Sequence, residues 1–592
     1  MARLLLWVLV GMAAYTLGMM FLDARGRLPD SISVSGPIVT VHTQRGRAFL
    51  NWLATPKRFW RAWGNLGVGI ALVVMVGTFV AVLQSAVQAV QQPAATPVQS
   101  PQNVLVIPGL NDFLPLAAAP EIVLGLLVGL VVHEGGHGLL CRVEDIDIES
   151  MGLALISFVP MGAFVEPSEE SRNRASRGSQ TRMFAAGVTN NFFVAFLAFA
   201  LLFGPVAGSI AVASGVPVGN TLPGSSAAAA GIGHGDRITG VAGAPVTNAT
   251  DLERALDRSP DRRIPVELDG ESTVTVKRRL LVTRNVPKLM GGLKLRPDDP
   301  LILRRVNGTA VYTEDALARE MREHTVARFG TNHGNVTMPI GAYVVRVNES
   351  GPMADTAAPL DRDFVITHLA GQRTPNLTAL SAVLDDTSPG QTVEVVAYVG
   401  GNRETYNVTL ARDPDGTGGY LNVRLQFGYS GLQATDFGVD AYPAERFLGY
   451  LGGSANDDGI DGEFIGHVIV ALILPFIAAI FPDVAYNFAG FLPDITNFYT
   501  VTGPLAPLGG GVFMLANALF WTAWVNLNLG LFNCIPTFPL DGGHILRAGV
   551  ESVVARLPVE GRRRLTTAVT ASVSVVMLVA LFAMILAPSL LN

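Results

Sequence analysis

At 592 residues the chain is too long for one compact domain, since domains run to roughly 150 residues. Hydrophobic residues make up 49% of it and charged residues 15%, with a mean hydropathy of +0.38, which excludes an ordinary soluble enzyme and points to membrane spans. The net charge of −6 supplies no basic surface for nucleic acid, and Cys141 and Cys534, far apart and within or beside apolar stretches, build no disulfide framework.

Apolar runs long enough to cross a hydrocarbon layer of about 30 Å lie near residues 1–22, 65–90, 120–141, 184–214, 464–482, 510–533 and 566–590. The fold class this predicts is a polytopic α-helical protein of the lipid bilayer with about seven spans. The first run reads as an uncleaved span, because only Arg3 precedes it and no small-residue cleavage site comes before Asp23. Basic residues gather between the first two spans (Arg25 to Arg61), between the third and fourth (Arg142 to Arg182) and before the last (Arg547 to Arg564), which places those loops in the cytoplasm. The segment 215–440 is then expected outside the cell membrane. The sequons at Asn248, Asn307, Asn335, Asn348, Asn376 and Asn407 all fall within it. Parity requires one more crossing, so Val484–Val501, interrupted by Pro493 and followed by Gly503, Pro504 and Pro507, is expected to return as a broken helix or re-entrant hairpin.

The exterior segment repeats internally. Gly243, Gly308 and Gly371 align, with apolar partners at matching offsets: Ile238, Leu303 and Ile366 before them, and Leu252, Leu317 and Leu380 after them. Each unit reads as strand, turn, strand, helix. Residues 223–256, PGSSAAAAGIGHGDRITGVAGAPVTNATDLERAL, resemble the PDZ domains attached to bacterial-type proteases, and residues 341–384 resemble a second copy in which Arg362-Asp363 replaces the GD pair. The middle unit lacks an upstream carboxylate-binding segment and reads either as a degenerate PDZ-like repeat or as an insertion. Such modules bind extended chain ends by strand addition; the competing reading is a rigid spacer or steric filter that binds no peptide.

The third span ends in LVVHEGGHGLLC, which puts His133 and His137 one helical turn apart on one face, with Glu134 beside them. Two imidazoles at that spacing share one Zn²⁺, and ionisable groups in an apolar helix are expensive unless functional. A catalytic zinc needs a third protein ligand and an open position. The sixth span supplies Asp541, on an irregular stretch NCIPTFPLDGGH with flexible Gly542 and Gly543; the alternatives are that Asp541 caps the following helix or that His544 coordinates instead.

These blocks resemble the site-2 proteases, the intramembrane zinc metalloprotease family. VVHEGGHGLL followed by MGLALISFVPMGAFVEP is similar to the family's zinc helix and the membrane-embedded hairpin after it. RMFAAGVTNNFFVAFLA is similar to its next span, and NLGLFNCIPTFPLDGGH to its N-x-x-P-x-x-P-x-D-G ending. The resemblance implies His133, His137 and Asp541 as zinc ligands, Glu134 as general base, and Asn533 and, more weakly, Asn190 as contacts to substrate backbone or oxyanion. It implies cleavage of a transmembrane protein substrate, expected to be already shortened by another protease, and because His133 and Asp541 sit toward the ends of spans expected to run from outside to inside, the cut is expected near the cytoplasmic face. A metal transporter is disfavoured because the spans at 65–90, 184–214 and 566–590 carry essentially no charge. A non-catalytic scaffold binding peptide ends through PDZ-like domains is the alternative, and Glu134 argues against it. The expected organisation is a two-span membrane region (1–119), the zinc-helix half (120–214), a PDZ-like domain (215–285), the degenerate repeat (286–339), a PDZ-like domain (340–425), a linker with the extra span and hairpin (426–508), and the second half of the core (509–592).

Overall fold

A computed structural model of the chain describes residues 2–29, 31–92, 107–111, 113–156, 159–359, 362–414, 416, 418–453, 464–481 and 484–590. The chain forms two units, residues 1–211 with 445–592, and residues 212–444.

Among the described residues of the first unit, five helical stretches are long and apolar enough to cross a membrane: Lys57–Gln91, Leu116–Val143, Arg177–Ser209, Gly511–Asn533 and Arg562–Pro588. The two other expected spans are shorter apolar helices, Val10–Ala24 and Phe464–Ile480, and the second is broken at Leu474–Phe476, where Pro475 removes a helical N–H. Five stretches of spanning length therefore stand where about seven were expected. We label the helices used below α1 (Ala2–Ala24), α2 (Gln44–Leu53), α3 (Lys57–Gln91), α4 (Ala119–Val143) and α5 (Arg177–Leu201).

Where a broken helix or re-entrant hairpin was expected over 484–501, no α-helix forms: between 484 and 508 the chain has only 3-10 turns and a three-residue strand. Its irregular backbone is satisfied instead by polar side chains of the helix Gly511–Asn533. Asn517 accepts from Phe491 N–H (2.7 Å) and donates to Phe491 O (3.0 Å), and the indole N–H of Trp521 donates to Ala489 O (3.0 Å); upstream of the stretch, the Trp524 indole N–H donates to Leu472 O (3.0 Å) just before the Pro475 break. A backbone that is not helical survives inside such a protein only when protein groups take its hydrogen bonds.

Strands β1 (Ile32–Ser35) and β2 (Ile38–His42) pair onto a second hairpin, β3 (Ile148–Ile156) and β4 (Val159–Pro167), giving a four-stranded antiparallel sheet in which β4 is an edge. The tip of the second hairpin, 157–158, lies outside the described residues. The helix α4 packs through glycines. A Cβ on Gly125 would lie 2.6 Å from Trp521 O, and one on Gly136 would lie 2.8 Å from Ala186 O, so the backbones meet where no side chain fits. Gly138 likewise meets Leu50 of α2, whereas Gly135 has nothing within 4 Å.

The second unit contains three antiparallel sheets of one design. The first takes β5 (Val216–Thr221), β6 (Arg237–Val241), β7 (Arg263–Leu268) and β8 (Ser272–Lys277). The second takes β9 (Leu280–Arg284), β10 (Ile302–Val306), β11 (Val326–Thr331) and β12 (Gly334–Pro339). The third takes β13 (Ala342–Val347), β14 (Phe364–Leu369), β15 (Thr392–Val399) and β16 (Asn402–Thr409). Each is then closed by a strand that comes later in the chain, and in reverse order: β17 (Val423–Gln426) joins β13, β18 (Gln433–Thr435) joins β9, and β19 (Val439–Ala441) joins β5. The third sheet is therefore nested inside the second, and the second inside the first. The middle unit is a complete sheet of the same order as its neighbours, and its β9 stands upstream of the repeat in the place that β5 and β13 hold in the other two.

The repeated glycines sit in two-residue turns. Ala242-Gly243, Asn307-Gly308 and Ala370-Gly371 all have positive φ at both positions, the geometry that matches strand twist in a tight hairpin. A helix follows each turn, α6 (Ala249–Arg258), α7 (Glu314–Glu323) and α8 (Leu377–Asp385), and each begins on a side-chain cap from Asn248, Thr313 or Asn376. Two of the six sequon asparagines are thus helix caps. Arg278 and Asp436, each 2% exposed, form a buried ion pair where the first and second sheets join. Asp436 also accepts Glu314 N–H (2.8 Å), and Glu314 accepts Asp436 N–H (3.2 Å).

Candidate metal centre

Apolar residues and a proline at its start keep α4 helical, and its last turns bring His133 and His137 to one face. Their Nε2 atoms are 3.2 Å apart and their rings nearly perpendicular at 87°. The third group arrives from the far end of the chain. Helix α9 (Gly511–Asn533) stops at Cys534, the chain turns through Pro536 and Pro539, and α10 (Asp541–Val554) begins on Asp541 itself. The turn is tight, not flexible as expected: a Cβ on Gly542 would lie 2.4 Å from Ile535 O, and one on Gly543 would lie 2.7 Å from Thr537 O. Both glycines are there because backbone carbonyls occupy the space of a side chain.

Leu540, not Asp541, holds the cap position of α10; the Asp541 Oδ2 lies 3.1 Å from His133 Nε2 and 3.2 Å from His137 Nε2. His544, the alternative ligand, stacks face to face on Phe184 with ring centres 4.3 Å apart and meets the edge of Phe538. Glu134 offers a carboxylate oxygen within 4.8 Å of a ring nitrogen of each histidine, and its Oε2 accepts Val165 N–H of β4 at 3.0 Å.

Two neighbours from α5 orient the imidazoles. His137 Nδ1 lies 2.8 Å from Met183 O, which only accepts, so Nδ1 carries the proton and Nε2 presents a lone pair. His133 Nδ1 lies 3.3 Å from the Asn191 amide, and the buried Asn191 Oδ1 has no other partner. With that amide turned so that Oδ1 accepts from Nδ1–H, His133 takes the same tautomer. Asp541 Oδ2 is likewise buried with no hydrogen donor. Two nitrogen lone pairs and a carboxylate oxygen thus converge with no hydrogen between them, an arrangement that repels itself unless a cation sits at its centre. The donor set of two imidazoles and one carboxylate fits a divalent transition metal with one position left open.

Of the remaining expected residues, Asn190 accepts the indole N–H of Trp63 at 2.9 Å and, with Glu134, borders an apolar cavity. Asn533 donates to Leu529 O at 3.0 Å, one turn back in its own helix, and the structure does not bring it onto the cluster. Asn191 escaped the sequence reading, and Gly187 entered it only as part of the run RMFAAGVTNNFFVAFLA that resembles the family's span. A Cβ on Gly187 would lie 2.7 Å from His137 Nε2, so this glycine lets α5 lie directly against the ligands. The available signal was the one-turn spacing of Gly187 and Asn191, which puts both on one helix face.

Among solved structures, the chain is similar to the PDZ domain of an SdrC-like protein from Listeria monocytogenes, at 26% identity over 14% of this chain and 86% of that one, with a TM-score of 0.13. The family model of peptidase family M50 matches residues 121–581, most of the chain, and takes in both the HEGGH helix and the distant Asp541. Because that single match embraces the two segments whose side chains meet at the cluster, the chain belongs to peptidase family M50, the site-2 protease family of metallopeptidases.

Proposed function

We propose that this protein is an intramembrane zinc endopeptidase that hydrolyses a peptide bond within the transmembrane segment of a single-span substrate, near the cytoplasmic face. One observation carries the reading: His133, His137 and Asp541, from opposite ends of the protease core, place three acceptor atoms within 3.2 Å of one another beside a Glu that takes no part in that contact. Bound Zn²⁺ would polarise the scissile carbonyl and acidify the attacking water. His133, His137 and Asp541 would hold the metal, the two imidazoles offering Nε2 because Asn191 and Met183 O engage their Nδ1 atoms. Glu134, anchored by Val165 N–H, takes the proton of the attacking water and returns it to the leaving amine.

A membrane helix satisfies its own backbone, so the substrate must unwind before attack, and helix-breaking residues in it help. Asn190, beside Glu134, is one contact for the unwound segment; Asn533 is the second on the family pattern. The three-sheet unit lies outside the cell membrane in this reading, and reads or excludes the end left by an earlier cleavage. The test is elemental analysis of detergent-purified protein. About one zinc per chain is expected in the wild type, with a large loss in His137→Ala and Asp541→Ala, and retained zinc without proteolysis in Glu134→Gln. Full zinc retention in Asp541→Ala would overturn the three-ligand site.

A further inference from the structure

The N-terminal region precedes the family match, which begins at residue 121. It nevertheless builds one side of a cavity of about 670 Å³ whose opposite side includes Glu134, Gly135 and Leu139 of α4. That volume falls within the range of about 300–1,000 Å³ of built ligand pockets. The N-terminal wall is α2 and the start of α3 and includes Leu53, Trp60 and Trp63. Both indole N–H groups are engaged, Trp60 with Leu53 O (2.7 Å) and Trp63 with Asn190 Oδ1 (2.9 Å), so each ring has no donor left to offer an occupant. Trp63 is further held edge-on against Phe193, with ring centres 5.4 Å apart at 87°.

We infer that this cavity is the specificity pocket for apolar side chains flanking the scissile bond of a transmembrane substrate, and that Trp63 limits the size it accepts. The inference rests on the proteolytic reading above. Continuity with the catalytic carboxylate argues for a substrate occupant: whatever fills the cavity lies against Glu134. Fixed rings discriminate by size because they cannot move aside, and a misfit of one or two methylene groups in an apolar pocket changes selection by about tenfold or more. The reacting groups thus come from the segment shared with the family, and the selecting wall from residues 43–63, outside it.

The test uses the full chain as Glu134→Gln in phosphatidylcholine vesicles, so that capture does not depend on cleavage. A photo-crosslinking benzoylphenylalanine is placed at Leu53 in the cavity or, as a control, at Val76 on α3, which is 62% exposed. The probes are synthetic single-span Leu/Ala peptides with a central Gly-Pro break flanked by either Phe or Ala. Capture from position 53 should exceed that from 76 by about tenfold, and Trp63→Ala should raise the Phe-to-Ala capture ratio by a similar factor. Gly135→Phe, whose side chain enters open space on the α4 side, should abolish capture from position 53 alone. Should Gly135→Phe fail to retain zinc, Ala163→Leu from β4 blocks the same cavity. Equal capture at 53 and 76, capture at 53 that ignores the blocking residue, or crosslinks at 53 to lipid only would overturn the pocket. The zinc analysis above would stand or fall separately.

Discussion

Gly187→Ala is a one-carbon change whose consequence follows from two distances. The new Cβ would lie 2.7 Å from His137 Nε2 and 2.9 Å from His133 Cε1, closer than carbon and nitrogen tolerate, so a shift of several tenths of an ångström is unavoidable. The imidazoles cannot absorb it as a flexible side chain would, because Met183 O and Asn191 hold their far nitrogens. Overpacking of this kind costs about 1–3 kcal/mol. In metal-free protein the rings relieve it by rotating away, whereas metal bonds tolerate only about 0.2 Å. Most of the strain therefore falls on the metal-bound state, and at about 1.4 kcal/mol per factor of ten, zinc should bind roughly ten- to a hundredfold more weakly. Helix propensity acts in the opposite direction, since Ala favours a helix over Gly by about 1 kcal/mol, so the fold itself should hold. Chelator competition on purified protein measures the affinity, and circular dichroism the fold. Gly135→Ala, with nothing within 4 Å, is the control and should bind zinc as the wild type does. If Gly187→Ala resists chelator as well as the wild type, α5 does not press on the ligands and the site geometry is wrong.

Asn191→Leu should weaken zinc by about ten- to a hundredfold in the same competition, as loss of an orienting partner does, while Asn190→Leu should leave zinc binding unchanged because Asn190 bonds to Trp63 and not to a ligand. Arg278→Leu strands the buried Asp436 carboxylate and should destabilise the three-sheet unit by about 3–5 kcal/mol, read as faster proteolysis within 212–444 of the full chain. Arg278→Leu combined with Asp436→Leu should recover most of the loss. Burial first, and then the Asp436 carboxylate, hold the Glu314 carboxyl above its ordinary value. A raised carboxyl binds its proton more tightly in the folded state, so the junction should gain resistance to proteolysis as pH falls from neutral toward the ordinary value of about 4.3. Glu314→Gln should flatten that dependence, and an unchanged pH profile would show that Glu314 does not titrate there.

The sequence was most informative where one-dimensional spacing equals three-dimensional neighbourhood. His133 and His137 are one turn apart wherever α4 packs, and the turn glycines 243, 308 and 371 are demanded by local backbone geometry alone. Asp541 was legible because an acid at the end of an apolar span needs a partner. Helix phase was harder to read. Asn190 and Asn191 are adjacent in sequence but point about 100° apart, and only the packing of α5 on α4 assigns one to Trp63 and the other to His133. The stretch 484–508 has the apolar composition of a span but forms no α-helix, and its Phe491 and Ala489 are bonded by Asn517 and Trp521, residues that read as ordinary members of another helix. The closing strands β17, β18 and β19 were invisible for a related reason. They are short, they lie after the repeat they complete, and the repeat period does not reach them.

The reversed order of those closing strands dictates a sequence of events during synthesis. A chain emerging from the ribosome presents the first four strands of the outer sheet, then those of the middle sheet, and neither can complete its edge until the innermost sheet has been made. Closure then runs inside out, β17, β18 and β19 within some twenty residues, like brackets shut in the reverse of the order they were opened. A premature stop anywhere between β13 and β17 would leave three open edges together, each a template for pairing with another chain. The helix bearing Asp541 is translated only after the last bracket shuts. On the ribosome, therefore, the ligand that completes the metal cluster is made only after every strand of the three sheets, so a chain interrupted within them carries His133 and His137 but no third ligand.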